Sequence, residues 1–202
     1  MTSNVLGGER TADYWNTRIG RGINLGNMLE SPRKRAWAAK PQASDFTVIA
    51  DAGFSSVRIP IRWSDYAANE TPYAIESDFF EQVDAVIELA RANGLVVIIN
   101  IHHYHEFMDA PAEHRPRVMA LWRQIAERYR NEPNDLVFEI MNEPTNKVTA
   151  DIWNEIQNEA LAVIRKSNPE RVVFVSPIGW NRIKDLHRLK LPADDPNLIA
   201  SV

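Results

Sequence analysis

The segment Val137-Phe138-Glu139-Ile140-Met141-Asn142-Glu143-Pro144 joins an apolar run to acidic side chains and ends in a proline. Apolar runs with few charges are typical of strands in a parallel sheet that is covered on both faces. Because side chains alternate along a strand, Glu139, Met141 and Glu143 are predicted to share one face. Glu143 would then lie at the strand's end, where the proline stops it. The segment therefore predicts a buried strand with a carboxylic acid at its carboxyl end.

Similar apolar runs recur along the chain, and amphipathic segments of helical period separate them. The predicted strands are 22–26, 55–61, 95–101, 135–141, 171–176 and 197–202. The predicted helical segments are 44–52, 79–90, 118–129 and 152–164. Strand starts recur every 26 to 40 residues, which is the spacing of βα units in one α/β domain. A doubly wound sheet has the same spacing, so spacing alone does not separate that fold from a barrel.

Polar side chains collect at the carboxyl ends of these strands, where (β/α)8 barrel enzymes place their chemistry. Arg58 interrupts an apolar strand and is expected to face carboxylates, because burying an unpaired guanidinium is costly. Asn100 and His102 share one face of the third strand. Asn142, beside Glu143, can donate to a substrate hydroxyl and accept in return. This placement favours a barrel. The alternative for Arg58 is a purely structural ion pair, and the alternative for Asn142 and Glu143 is a capping turn.

Aromatic residues near the predicted mouth are candidates for stacking on the apolar face of a sugar ring. Trp180 lies in the loop after the fifth strand. Four further candidates lie near strand ends, with packing at the rim as the alternative for each: Trp37, Trp63, Tyr66 and Tyr104. The three remaining tryptophans fall on or near helical segments and are predicted only to pack: Trp15, Trp122 and Trp153.

The run His102-His103-Tyr104-His105-Glu106 offers nitrogen and oxygen donors, and one interpretation is a metal site. Adjacent histidines on an extended chain point to opposite sides, so at most His103 and His105 could converge. The run matches neither a zinc-protease helix nor a zinc-finger spacing. A polar network is the better interpretation, and no metal or cofactor is expected.

Composition is that of an ordinary globular protein. The chain has 202 residues, with 23 Lys and Arg against 27 Asp and Glu, and a formal net charge of −4. This balance excludes a disordered chain and gives no reason to expect a nucleic-acid partner. The absence of cysteine excludes disulfides and thiolate metal sites. No signal peptide or membrane-spanning apolar stretch is recognised, so no membrane partner is expected.

Taken together, these residues resemble glycoside hydrolase family 5, the family of cellulases and related endoglycanases. The matching motifs keep the family's order along the chain: 21–30, 53–60, 100–103, 142–144 and 179–181. The resemblance implies a (β/α)8 barrel and retaining hydrolysis of β-1,4-glycosidic bonds in cellulose or related β-glucans, as by an endo-β-1,4-glucanase. It also implies a polysaccharide or oligosaccharide substrate and a secreted protein.

The same resemblance implies a role for each matching residue. Glu143 would be the general acid/base, and Asn142 would hydrogen-bond the sugar 2-hydroxyl. Arg58 would hold the nucleophile ionised and in position, and His102 would complete the polar floor. Substrate contacts would come from Asn24, Glu30, Trp63, His103, Tyr104 and Trp180.

The chain is expected to supply only part of such an enzyme. Residues 1–202 are predicted to form one truncated catalytic domain, an incomplete (β/α)8 barrel with six of the eight βα units. A retaining mechanism needs a second carboxylate about 5–5.5 Å from the first, and the family carries it after the seventh strand. Glu139 is not a substitute, because it lies four residues deeper than Glu143, roughly 13 Å away at about 3.3 Å per residue. The open sheet edge is expected to cause self-association.

Two other functions remain in competition. A non-catalytic carbohydrate-binding or oligomerising half-barrel would keep the aromatic mouth without the chemistry. A metal-dependent hydrolase would use the histidine cluster. Turnover that is lost in Glu143→Gln would favour the glycosidase. Binding without turnover would favour the half-barrel. Activity that a chelator abolishes would favour the metal enzyme.

Overall fold

Six parallel strands form the centre of the computed structural model, which describes residues 11–33 and 40–202. They are β1 (Gly22–Asn24), β2 (Ser56–Ile59), β3 (Val96–Asn100), β4 (Leu136–Glu139), β5 (Val173–Val175) and β6 (Leu198–Ala200). Each strand begins and ends within two residues of its predicted bounds. The strands pair in sequence order, and every pairing is parallel.

Helices precede and connect the strands in the described part of the chain. They are α1 (Ala12–Ile19), α2 (Ala43–Asp51), α3 (Ser77–Ala92), α4 (His105–Asp109), α5 (Pro111–Arg128) and α6 (Ala150–Arg165), with 3₁₀ turns at Trp63–Tyr66 and Ile183–Arg188. The predicted helical segments correspond to α2, α3, α5 and α6. Within the described ranges, no helix is both long and apolar enough to cross a bilayer.

Side-chain alternation along the strands produces two apolar layers. Outward-facing strand residues pack against the helices: Val57, Ile59, Val97, Ile99, Leu136, Phe138, Val173 and Val175. Inward-facing residues such as Val96 and Val137 pack with Trp15 and Ile19 of α1, which lies against the amino-terminal ends of the strands. Burial on both faces explains why the strands read as continuous apolar runs.

Arg171 fixes the amino-terminal end of the sheet just before β5. It is 2% exposed, and its guanidinium donates to the backbone carbonyls of Tyr129, Glu132, Pro133 and Leu136 at 2.6–2.9 Å. Burial lowers the pKa of Arg171 to about 10, so the side chain stays charged at neutral pH. The end of α5, the start of β4 and the start of β5 are thereby held together.

The strand order decides between the two folds that share this spacing. A doubly wound sheet reverses its strand order at a switch point, whereas a barrel adds strands sequentially. The observed order β1-β2-β3-β4-β5-β6 has no reversal. The fold is an incomplete (β/α)8 barrel, as predicted.

Candidate active site

Arg58 of β2 is the centre of a polar network on the inner face of the sheet. Its Nε donates to Glu139 Oε2 at 2.6 Å and its Nη2 donates to Glu139 Oε1 at 2.9 Å, which makes a bidentate pair. Its Nη1 donates to Asn24 Oδ1 at 2.7 Å, and its Nη2 also donates to Asn142 Oδ1 at 2.8 Å. Arg58 thus meets β4 across the intervening β3, as inward side chains of alternate barrel strands do.

Glu139 is the carboxylate that the sequence required opposite Arg58. The residue is almost fully buried, at 2% exposed, so water screens the pair weakly. Burial alone would lower the pKa of Arg58, but the hydrogen bonds to Glu139 and the charges of Glu139, Glu143 and Glu30 outweigh it and raise that pKa. Arg58 therefore carries a full positive charge at the mouth.

Glu143 follows β4 rather than ending it. The strand ends at Glu139, and Glu143 has a φ of 46°, in the left-handed region. Glu139 and Met141 are buried, whereas Glu143 is exposed. The prediction that these three residues lie on one strand is wrong, because β4 ends at Glu139 and the chain turns at Glu143, which is exposed to solvent.

Neighbouring segments hold this turn on both sides. The backbone N–H of Asn142 donates to the carbonyl of Ile101 after β3 at 3.0 Å. The carbonyl of Pro144 accepts from the N–H groups of Gly179 at 2.7 Å and Trp180 at 3.4 Å, after β5. The turn that carries Glu143 is therefore fixed between the loops that follow β3 and β5.

His102 and His103 follow β3. His102 is 8% exposed, and burial together with His103 and Arg58 lowers its pKa to about 3. Burial, His105 and Arg62 lower the pKa of His103 against the opposing charges of Glu30 and Glu143. Both imidazoles are therefore neutral at neutral pH.

The sequence suggests that His102 and His103 point to opposite sides, but the structure shows that they do not. Their ring centroids lie 4.3 Å apart, and the rings of His103 and His105 are nearly parallel at 5.7 Å. The reason is the φ of 54° at His103, which bends the chain out of the extended form. Among the described residues, no group of three or more His, Asp or Glu side chains could hold a metal ion.

Asn24 and Glu30 flank the loop after β1. Asn24 is exposed and accepts from Arg58, as described above. Glu30 is 7% exposed, and its carboxylate accepts from the backbone N–H groups of Asn27 and Met28, the latter at 2.9 Å. Glu30 orders its own loop, while Asn24 joins the network around Arg58.

Trp180 is the aromatic side chain that the structure leaves open at this end of the sheet. It is 54% exposed, and the guanidinium of Arg182 lies 5.3 Å from its ring centroid. Its φ of 62° and the φ of 73° at Gly179 place both residues in the left-handed region. The loop after β5 therefore presents Trp180 next to the turn that carries Glu143.

Trp63 and Tyr104 are not available to a ligand, and Tyr66 is half-buried. Trp63 is 0% exposed and donates from Nε1 to the Asn100 carbonyl at 3.0 Å. Tyr104 is 1% exposed, with its hydroxyl 2.9 Å from His114 Nδ1. Tyr66 stacks on Phe79 at 3.7 Å. The prediction that Trp63 and Tyr104 contact a substrate is wrong, because both rings complete the core.

The tryptophans predicted only to pack behave as expected. Trp15, Trp122 and Trp153 are 3%, 0% and 1% exposed. Trp37 lies outside the described residues. Trp180 is therefore the tryptophan of the described chain that is best placed to contact a sugar.

The comparisons with known proteins agree with this arrangement. Residues 18–202 match the model of the cellulase family, glycosyl hydrolase family 5. The chain belongs to glycosyl hydrolase family 5. This family and its barrel fold are the ones that the sequence motifs predicted.

Individual relatives within family 5 extend the comparison. The chain is 36% identical to endoglucanase H of Acetivibrio thermocellus over 184 residues, which are 91% of this chain and 20% of that protein. It matches Thermotoga maritima Cel5A in complex with cellobiose (mutant form) with a TM-score of 0.92 and 44% identity, over 95% of this chain and 66% of that chain. It matches the complex of Cel5A with mannotriose with a TM-score of 0.90 and 45% identity, over 93% and 61%.

One residue of this family 5 site escaped the sequence analysis. The sequence excludes Glu139 as a substitute nucleophile because of its depth and predicts no other role for it. The cost of burying Arg58 was the signal that could have identified it, since an inward carboxylate two strands away satisfies that charge.

Proposed function

We propose that this chain forms the acid/base side of a retaining endo-β-1,4-glucanase that hydrolyses cellulose or related β-glucans. The observation that carries the proposal is the network in which Arg58 holds Glu139, Asn24 and Asn142 beside the exposed Glu143. Two relatives support this substrate class: endoglucanase H, and Cel5A in complex with cellobiose. We propose that residues 1–202 form one segment of a catalytic domain.

In this mechanism Glu143 is the general acid/base. It donates a proton to the oxygen of the departing sugar and then takes a proton from the water that attacks the glycosyl-enzyme. The turn after β4 suits this role, because it places the carboxyl group in solvent contact between two loops that fix its backbone.

Asn142 is proposed to bind the 2-hydroxyl of the sugar. Its Oδ1 already accepts from Arg58 Nη2, so the amide is oriented. The Nδ2 group is therefore turned away from Arg58 and is free to donate to a hydroxyl oxygen. An amide that is fixed before the sugar arrives loses little entropy on binding.

Neither buried carboxylate at the mouth is free to act as nucleophile. Glu139 is engaged by Arg58, and Glu30 by backbone N–H groups of its loop. We propose that the nucleophile comes from a part of the complete enzyme beyond these residues, since the chain spans 66% of Cel5A. One N–H of Arg58 Nη1 has no partner among the described residues and could hold that carboxylate ionised.

The test is the release of reducing sugar from carboxymethylcellulose by the complete enzyme, which includes the nucleophile that residues 1–202 are proposed to lack. Glu143→Gln removes the transferable proton and is expected to lower kcat/KM about 10²–10⁴-fold. The matched control is Glu81→Gln, an exposed glutamate on α3, which should keep the original rate. Equal rates in the wild type and Glu143→Gln would refute the assignment.

A carbohydrate-binding half-barrel without turnover is the second candidate, favoured by the exposed ring of Trp180 beside the polar network. Calorimetry with cellobiose and mannotriose, the sugars bound in the Cel5A structures, separates the two candidates. Binding that is lost in Trp180→Ala, with no release of reducing sugar from any substrate by the complete protein, would favour this second function.

We also propose that the protein acts outside the cell and that the isolated 202-residue chain self-associates. An action outside the cell follows from the proposed substrate, because an insoluble polysaccharide does not enter the cell. Self-association is supported by β1 and β6, which each have one unpaired side within the described sheet.

A further inference from the structure

Asn100 is a buried amide at the end of β3 whose two polar atoms face different partners. It is 0% exposed. Its Oδ1 accepts from the backbone N–H of Ile61 at 3.4 Å, and its Nδ2 lies 3.2 Å from Nδ1 of His102. Because a backbone N–H can only donate, the amide oxygen must face Ile61 and the NH2 group must face His102.

The surrounding backbone keeps this geometry in place. The N–H of His102 donates to the carbonyl of Ile61 at 2.8 Å, so Ile61 is bonded both to Asn100 and to His102. The indole N–H of Trp63 holds the carbonyl of Asn100 at 3.0 Å. These bonds hold the backbone of Asn100, Ile61 and His102 in place around the amide, and the N–H of Ile61 requires the amide oxygen on its side.

A proton assignment for His102 follows from these bonds. An amide NH2 group only donates, so Nδ1 of His102 must accept and carries no proton. In a neutral imidazole the proton then resides on Nε2. The charged form, in which both nitrogens donate, is disfavoured because burial, His103 and Arg58 lower the pKa of His102.

We propose that Asn100 is a positioning residue that holds His102 as the Nε2–H tautomer, a neutral donor for an oxygen of the bound sugar or of a carboxylate at the mouth. Nε2 has no hydrogen-bond partner within residues 11–33 and 40–202. The tautomer rests on the contacts of Asn100 alone, whereas the contact with sugar rests on the proposed function.

The tautomer can be read directly by NMR of the folded chain labelled with ¹⁵N in its histidine rings. At pH 7 the wild type is expected to show an unprotonated Nδ1 and a protonated Nε2 for His102, with His102→Gln identifying the signals. Asn100→Asp places an acceptor opposite Nδ1 and should move the proton to Nδ1. Asn100→Ala removes the donor and should give a mixture of tautomers, which keeps the test informative if Asn100→Asp does not fold.

The matched control is Asn154→Asp. Asn154 is also a buried amide (6% exposed), bonded to the backbone of Arg188 and Lys190. Its replacement should leave the His102 signals unchanged. A protonated Nδ1 in the wild type, or an unchanged Nε2–H tautomer in both Asn100 variants, would overturn the proposal.

The contact with sugar has a separate readout. If Nε2–H donates to cellobiose, its loss in Asn100→Asp should weaken binding about tenfold, as expected for one hydrogen bond. The mixture of tautomers in Asn100→Ala should weaken binding less. Unchanged affinity in a folded variant with a switched tautomer would overturn the ligand role. Failure of the Glu143→Gln test would refute the glucanase mechanism and leave the tautomer intact.

Discussion

Arg58 and Glu139 bring opposite charges into a nearly dry part of the sheet. Removing one partner of a buried pair leaves the other charge without compensation, which costs about 3–5 kcal/mol. Arg58 is less buried than Glu139, with side-chain exposures of 24% and 3%. The guanidinium therefore keeps some contact with water, and the cost should fall at the lower end of that range.

We expect Glu139→Ala to lower the free energy of unfolding by about 3 kcal/mol, because it leaves Arg58 uncompensated. Urea unfolding at pH 7 measures this. Glu76 makes a similar bidentate pair with Arg33, but in water, at 43% and 50% exposed. Glu76→Ala should therefore cost much less, and equal losses in the two variants would contradict the role of burial.

His102 makes stability depend on pH. Its pKa is about 3 in the folded chain and near 6.5 when exposed, so the unfolded state binds more protons between these values. The stability that neutral His102 contributes is complete above pH 6.5 and is lost as the pH falls toward 3. Between pH 7 and pH 5 the loss should be about 2 kcal/mol.

Urea unfolding at the two pH values tests this linkage. His102→Gln should show a smaller loss of stability than the wild type, because the titrating group is gone. His187→Gln, at an exposed histidine in the 3₁₀ turn at Ile183–Arg188, should keep the wild-type dependence. The same pH dependence in wild type and His102→Gln would contradict the assignment.

At the scale of elements, the loops after β3, β4 and β5 share one conformational feature. His103, Glu143 and Trp180 each lie in the left-handed region, with φ of 54°, 46° and 62°. Non-glycine residues adopt this region at a cost, and such strain concentrates at functional sites. The mouth is therefore built from backbone that the neighbouring loops hold in an unfavourable form.

Substitution of Gly179 by alanine tests how closely the Trp180 loop is packed. A Cβ at Gly179 would lie 2.5 Å from Arg182 Nη2 and 3.0 Å from Asp185 Oδ2, whereas a Cβ at Gly94 would meet nothing within 4 Å. Both glycines have positive φ, so alanine costs each about 1–2 kcal/mol of backbone strain. We expect Gly179→Ala to lose more stability than Gly94→Ala, since it must also displace the Arg182–Asp185 ion pair.

Cellobiose titration adds a functional readout to this pair of variants. Gly179→Ala should weaken binding because it shifts Trp180, while Gly94→Ala, in the turn after α3, should leave binding unchanged. Equal stability and equal affinity in the two variants would show that the loop adapts freely around Gly179.

Periodicity predicted the long elements and missed the short ones for physical reasons. Helices α3, α5 and α6 carry apolar stripes of several turns, which sequence reveals directly. Helix α1 buries only Trp15 and Ile19, and α4 has five residues, so neither shows a full period. The left-handed turn at Glu143 was not predictable, because contacts from distant loops stabilise it.

At the scale of the whole molecule, the described sheet has two free edges. All three residues of β1 are exposed, and Ile23 is 36% exposed. Edge strands with apolar side chains are templates for pairing with another chain. The 202-residue chain is therefore expected to associate through β1 and β6.

Light scattering after size-exclusion chromatography should show masses above the 23.0 kDa monomer that rise with concentration. Ile23→Lys places a charge on the free edge and should shift the distribution toward monomer. Val48→Lys, at an equally apolar residue that is 67% exposed on α2, should not. A monodisperse monomer at all concentrations would refute self-association.

The guanidinium of Arg171 makes the two ends of the sheet differ in how well they tolerate substitutions. Its bonds to four carbonyls pin the amino-terminal end, while the polar residues discussed for function all lie at the opposite end. Substitutions in the loops around Trp180 and Glu143 therefore act on a framework that is anchored elsewhere. Sequence drift at the mouth can alter the loops without dismantling the protein, which makes this scaffold tolerant to evolution and a practical starting point for redesign.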